Sequence, residues 1–516
     1  MKKALIINLT RFGDLLQTQP VISALAAEGY ETGVMCLDNF SGTTKLMRDV
    51  SMTFPLPGAP FLAALDRDWR DALSLFESYC LEVEDKLNPD LIVNLTPSVS
   101  ARLIALRLGE GREVRGFIMD KFGFNADTNQ WAIFLQMASA NRGASPFNVV
   151  DLFSRVAELK KPVPFKLAEP GPEMRIAALK YLESPDPEAK GFIGFQPGAS
   201  EDRRRWPVSH FKELGSRVWN ELKLIPVLLG TESERNLGER ILDGVDFPAI
   251  NLMGKTSLPE LAAVLRKLDL LVTNDTGTMH LAAGSGTPVA AVFLATAQPW
   301  DTGPAAENCL CFEPDLECHP CSFGVKCSYD NKCRAQIGVS EIFDSVSSFI
   351  NESQWPRLEN RGVRAYLTGR DEHGFMNLSS MSGHEQDDRY RWILLQREFY
   401  RRFLDGEDLS SFSAGQIFFS DEFRLCLAKP LAECRDVLFL LSKQAMLLQG
   451  APIESMKIKF LANFQRIQDV LSSCPQLSVL SSLWDIEARS QESMEGLISQ
   501  LNRYTVLINC LSGLVQ

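Results

Sequence analysis

Three short segments combine residue types that do chemistry. The first, Thr10-Arg11-Phe12-Gly13-Asp14, follows an apolar run at 4–9 and puts a carboxylate in the first turn of a helical pattern. An acid there is stabilised by the helix macrodipole, and it is equally well placed to accept a proton from a reacting group. The second is Pro197-Gly198-Ala199-Ser200-Glu201-Asp202-Arg203-Arg204-Arg205-Trp206-Pro207. Its small residues let backbone amides approach a phosphate, and three arginines in a row offer charge and forked donors to a diphosphate. A solvated basic loop is the rival reading. The third, Asn274-Asp275-Thr276-Gly277-Thr278-Met279-His280, brings an acceptor for sugar hydroxyls at Asp275 and hydroxyl and amide donors at Thr276 and Gly277. His280 reads either as a ligand or as a satisfied core imidazole.

Each segment leaves a strand-like run and enters a helical one. Parallel strands place such loops at their carboxyl edge, where helix amino termini offer unpaired amides to anions. Strand patterns at 4–9, 31–36, 91–95 and 114–118 alternate with helical stretches such as 14–27 and 68–87. A proline-rich break at 161–172 and 184–187 follows. The rhythm restarts with strands at 192–196, 225–230, 249–253, 270–273 and 289–293, with helices at 208–222, 232–242, 258–268 and 279–284 between them. The fold class expected is α/β, with two Rossmann-like domains facing a cleft at 1–165 and 166–352. From about residue 356 the pattern changes to long helical stretches at 387–404, 431–448, 453–471 and 486–511 without strand alternation, so 353–516 reads as a separate all-α domain.

Taken in order, the motifs resemble glycosyltransferase family 9, the heptosyltransferases that build lipopolysaccharide core. The family opens with a strand and Arg-x-Gly-Asp, as at Arg11 to Asp14. Its second domain carries Pro-Gly-Ala-Ser running into a basic residue and Trp-Pro, a strand ending in Gly, Gly-Lys-Thr-Ser-Leu as at Gly254 to Leu258, and Asp-Thr-Gly-x-x-His as at Asp275 to His280. The resemblance covers roughly the first 350 residues and implies a GT-B fold. It implies Asp14 as the general base toward an acceptor hydroxyl, and Ala199, Ser200 and Arg204 as contacts of the leaving diphosphate. It implies Glu234 at the nucleotide ribose, and Asp275, Thr276, Gly277 and His280 at the sugar and diphosphate. The implied reaction is inverting transfer from a nucleotide-sugar donor of the ADP-heptose class to a glycolipid, with no catalytic metal cofactor. Two departures stand out: Arg204 where the family has Lys, and Leu294 where it has Gly.

Twelve cysteines are present, and six lie between Cys309 and Cys333. Cys318, Cys321, Cys327 and Cys333 offer four thiols in a loop-rich stretch, a donor set that suits one structural zinc or iron. Cys309 and Cys311 read as apolar strand residues. The net charge of -12 argues against long-range attraction to nucleic acid or anionic lipid. The amino-terminal apolar run is too short for an export signal or a membrane span, so a cytoplasmic location, at the inner face of the inner membrane for a lipid acceptor, is expected. Other expected partners are a protein acceptor, motivated by the helical extension, and a second copy of the chain through that extension. A catalytically silent scaffold is a further alternative. A nicotinamide oxidoreductase would want Gly-x-Gly-x-x-Gly after the first strand, and residues 9–14 hold one glycine.

Overall fold

The computed structural model describes residues 1–141, 145–159, 161–359, 361–409, 418–450, 453–491 and 493–514. Strands β1 (Lys2–Ile7), β2 (Tyr30–Leu37), β3 (Met52–Leu56), β4 (Leu91–Asn94) and β5 (Glu113–Gly116) form a parallel sheet in the order β3-β2-β1-β4-β5. Ala4, Leu5, Ile6 and Ile7 are all fully buried, because helices cover both faces of such a sheet; the strand therefore reads as a continuous apolar run. The strand order reverses between β1 and β4. Chain leaving these two strands diverges and opens a crevice at the carboxyl edge.

A second sheet contains β6 (Gly191–Gln196), β7 (Leu224–Leu228), β8 (Ile250–Asn251), β9 (Leu270–Asn274), β10 (Val289–Val292) and β11 (Leu310–Pro314), all parallel. Read from β8, the order β8-β7-β6-β9-β10-β11 is that of a dinucleotide-binding sheet, with its reversal between β6 and β9. The arginine loop leaves β6 and the Asp275 loop leaves β9, so both border that reversal. The linker between the sheets is tied to both halves: the Leu167 amide donates to the Gly284 carbonyl at 2.9 Å and the Ala168 amide to Leu46 at 2.8 Å.

Two antiparallel strands, β12 (Val363–Arg370) and β13 (Met376–Ser380), extend this sheet from β11. They correct the expectation of an all-α domain beginning at residue 353. The compact units are Met1–Ile118 with Phe147–His384, and Met119–Pro146 with Glu385–Gln516. The second unit is helical among its described residues, apart from an isolated bridge between Met119 and Asn125. It also recruits the helix Gln130–Ala140, expected in the first domain. That helix brings Phe134 to Tyr400, with ring centroids 6.0 Å apart, and the Trp131 indole donates to Asp405 at 2.8 Å. The remaining helices are Asp388–Asp405, Asp421–Gly450, Glu454–Ser472, Ser478–Arg489 and Met494–Leu514, so the single helix expected at 486–511 is two. Trp484 fills the core between Phe464 at 4.2 Å and Tyr504 at 5.0 Å. No helix among the described residues is long and apolar enough to cross a membrane.

Candidate active site

The turn after β1 is built around Asn8, which is fully buried. Its Oδ1 accepts from the Thr10 amide at 3.1 Å, and its Nδ2 donates to Thr18 Oγ1 at 2.7 Å. The helical pattern expected over 14–27 is broken into Phe12–Leu16 and Gln19–Ala27. Pro20, in the first turn of the second helix, has no N–H to continue the ladder. Asp14 lies in the first turn of the short helix, half-buried, and its carboxylate meets no hydrogen-bond partner among the described residues.

Asn274, at the end of β9 and fully buried, was not singled out from sequence, yet it joins the two loops of the second sheet. Its Nδ2 donates to the carbonyls of Pro197 at 2.9 Å and Gly198 at 3.1 Å, and its Oδ1 accepts from the Trp206 amide at 3.0 Å. Arg205 donates from Nη2 to the Ala199 carbonyl at 2.9 Å, closing the loop on itself. Arg204 then reaches across: Nη1 donates to Ser200 Oγ at 3.0 Å and Nη2 to Asp275 Oδ2. Thr302 Oγ1, also missed from sequence, donates to the same carboxylate oxygen at 3.3 Å. The backbone amides of Ala199, Ser200, Thr276 and Gly277 donate to no acceptor among the described residues. Unpaired amides of two loops, the second at the start of the helix Gly277–Ser285, thus share one crevice with a guanidinium.

The Asp14 turn abuts the start of that helix. A Cβ on Gly277 would stand 2.4 Å from Phe12 Cδ1, and one on Gly13 would stand 3.3 Å from Gly277 Cα, so the approach requires glycine on both sides. His280 is 5% exposed, and its Nε2 lies 3.4 Å from Gln17 Nε2. The structure therefore places His280 at the seam between the halves. Glu234 caps its own helix, accepting from the Thr231 amide at 2.9 Å. Its Oε1 lies 1.8 Å from where a Cβ on Gly198 would be, so the bare backbone of Gly198 lets the carboxylate reach the arginine loop.

A cavity of about 950 Å³ opens on the outer side of the arginine loop, lined in part by Pro197, Arg205, Trp206, Asn236, Asn251 and Arg334. Ala199, Ser200, Arg204 and Asp275 do not line it. The free amides and the charge gather in the crevice between β6 and β9, and by its chemistry the crevice, not that cavity, is the candidate site.

The cysteine segment braces the arginine loop from behind. Arg334 donates to the Arg205 carbonyl at 3.0 Å and to Asp202 at 2.9 Å, and Arg203 donates to the Val325 carbonyl at 2.9 Å. Amides of Tyr329 and Asn331 donate to Cys327 Sγ at 3.4 and 3.3 Å and hold its thiol below the usual range. Burial pushes the Cys321 and Cys333 thiols up, with the neighbouring cysteines adding to the shift. Ala295 ties the segment to the loop after β10, its carbonyl accepting from the Cys321 amide at 2.8 Å. As placed, no three His, Cys, Asp or Glu side chains among the described residues stand at metal-holding spacing. Cys311 lies in β11 and Cys309 beside it, both buried, as expected of apolar strand residues.

Residues 114–332 match the model of glycosyltransferase family 9 (heptosyltransferase). The chain is 26% identical over 171 residues to lipooligosaccharide heptosyltransferase 2 of Campylobacter jejuni, covering 32% of this chain and 52% of the relative. It is 34% identical over 106 residues to lipopolysaccharide heptosyltransferase 2 of Salmonella typhimurium, covering 20% of this chain and 30% of the relative. The matches thus span about half or less of these relatives' lengths. In structure, the glycosyl transferase family 9 protein of Veillonella parvula superposes with a TM-score of 0.52 at 17% identity, over 68% of this chain and 98% of that one. The ADP-heptose lps heptosyltransferase II of E. coli superposes with a TM-score of 0.50 at 18% identity, over 68% and 99%. These likenesses show the GT-B fold.

Proposed function

We propose that the chain is a glycosyltransferase family 9, heptosyltransferase-like protein, and from that premise an inverting glycosyltransferase moving heptose from ADP-heptose onto a hydroxyl of a lipopolysaccharide-type acceptor. The observation that carries the proposal is the set of unpaired amides at Ala199, Ser200, Thr276 and Gly277 beside Arg204, across a seam from the unengaged Asp14 carboxylate. In this reading the donor diphosphate occupies those amides and draws Arg204 away from Asp275. Asp275, still held by Thr302, then accepts hydroxyls of the sugar, and Glu234 accepts those of the ribose. Asp14 takes the acceptor proton as the oxygen attacks the anomeric carbon opposite the leaving diphosphate, which inverts that centre. Fixed amides and a guanidinium stabilise the departing charge without reorganisation, so the chemical step calls for no metal ion.

The proposal includes one structural zinc or iron held by Cys318, Cys321, Cys327 and Cys333. The four-thiol donor set and the amide bonds to Cys327 Sγ support it. Such an ion would cross-link the segment that braces the arginine loop. Elemental analysis of the purified chain should find about one such ion per molecule; finding neither, with all four thiols alkylated, removes the metal from the proposal.

The deciding assay supplies ADP-heptose with heptose-deficient lipopolysaccharide core and, separately, with candidate surface or flagellar proteins. Transfer to the lipid is expected. Transfer to protein alone replaces the acceptor, and absence of transfer or ADP release with every nucleotide sugar overturns the reading. Asp14→Asn should lower turnover by about 10²- to 10⁴-fold while keeping donor-induced thermal stabilisation.

A further inference from the structure

We propose that Cys426 and Cys474, in the helical unit, form a redox-active dithiol that closes to an intramolecular disulfide, a modification independent of the transfer reaction above. The two sulfurs are 3.9 Å apart although the residues are 48 positions apart in sequence. Cys426 is exposed in the early turns of the helix Asp421–Gly450, and Cys474 is buried directly behind it at the start of the short helical turn Pro475–Leu477. Both thiols point at one acceptor, Gln476 Oε1, at 3.8 Å from Cys426 and 3.2 Å from Cys474. Closing to the bond length of about 2 Å falls on an element terminus for Cys474 and on an early helical turn for Cys426, where backbone adjustment is easiest.

The exposure difference assigns an order to the chemistry. The Cys426 thiolate attacks one sulfur of a low-molecular-weight disulfide and expels one thiolate. The Cys474 thiolate then attacks Cys426 Sγ and expels the second. Two electrons pass from the protein to the small disulfide, which becomes two thiols and takes up the two protons the cysteines release. Burial, with the neighbouring Cys426 adding to it, pushes the Cys474 thiol up to about 11, while amides of Gln476 and Leu477 favour its thiolate. The short sulfur–sulfur distance offsets the small thiolate fraction by making the second step intramolecular. The remaining cysteine of the same helix, Cys434, is buried, and its thiol is pushed up to about 12 by that burial.

The test equilibrates the full chain with glutathione and glutathione disulfide, quenches with acid, alkylates, and maps peptides without reduction. The expected product is a peptide pair joined through Cys426 and Cys474, absent in Cys426→Ser and in Cys474→Ser and retained in Cys434→Ser. Closing so long a loop should raise the melting temperature of the helical unit by about 5–10 °C over the reduced form. The wild-type map decides the matter even if a variant folds poorly. Two alkylated thiols, a stable glutathione adduct on Cys426, or a bond from either residue to another cysteine would each overturn the proposal.

Discussion

Asn274→Ala tests whether one buried amide holds the two anion-facing loops together. The substitution removes two hydrogen bonds to the carbonyls of Pro197 and Gly198 and one from the Trp206 amide, all within a fully buried setting. At about 1 kcal/mol net for each bond, the loss is about 3 kcal/mol, less whatever an entering water restores. Asn274→Asp is the sharper case: it keeps the acceptor for Trp206 but turns a carboxylate oxygen toward the Pro197 and Gly198 carbonyls, so it should cost at least as much at neutral pH. Because the chain has two compact units, the measurement should be local. Hydrogen exchange of peptides spanning 197–206 and 270–280 reports opening of this seam, and donor titration reports its functional effect. Faster exchange in both peptides and a donor affinity weakened at least tenfold are expected. If Asn274→Ala exchanges like the parent and binds donor equally well, the two loops are positioned by something other than this amide, and the account of the crevice fails.

Gly198→Ala should push the Glu234 carboxylate off the arginine loop, since its Oε1 lies 1.8 Å from the new Cβ position. The change should weaken nucleotide binding while Gly171→Ala, whose Cβ meets nothing within 4 Å and whose backbone sits at φ −59°, leaves binding intact. In the helical unit, burial pushes the Glu487 carboxyl up to about 7 from 4.5, opposed by Arg503, whose Nη1 lies 3.3 Å away. The folded state therefore holds the proton more tightly than the unfolded one; the resulting stability is full below pH 4.5 and is lost as pH rises through 7. Thermal melts should show the helical unit weakening between pH 5 and 8 by an amount on the order of 3 kcal/mol, and Glu487→Gln should flatten that slope; an unchanged slope would remove Glu487 as its source.

The parallel strands were legible because burial on both faces leaves continuous apolar runs such as Leu5-Ile6-Ile7, and the reactive loops because they sit where such runs end. Asp14, Arg204 and Asp275 could be placed at one sheet edge or another by that logic. Their joining residue Asn274 could not, since its partners lie about seventy residues upstream and only the fold brings them near. β12 escaped notice for a related reason. It carries Arg364 into the interior, where Glu313 and Asp315 receive it, and a buried arginine in a strand looks like surface until its partners are known. The break before Pro20 was hidden by apolar residues that keep a helical spacing through it, and the division of the last helices by a polar stretch at 490–493 that holds neither proline nor glycine.

That the helical unit is assembled from two separated stretches of chain has a consequence for biosynthesis. Gln130–Ala140, with Trp131, Ile133, Phe134 and Leu135 buried in the finished molecule, leaves the ribosome well before the helices that cover it. Everything from 147 to 384 must be translated in between, which at about 5–20 residues per second leaves a sticky helix uncovered for tens of seconds. The nascent protein should therefore depend on chaperones most during that interval, and that dependence should end once the carboxyl-terminal helices are made and cover that helix.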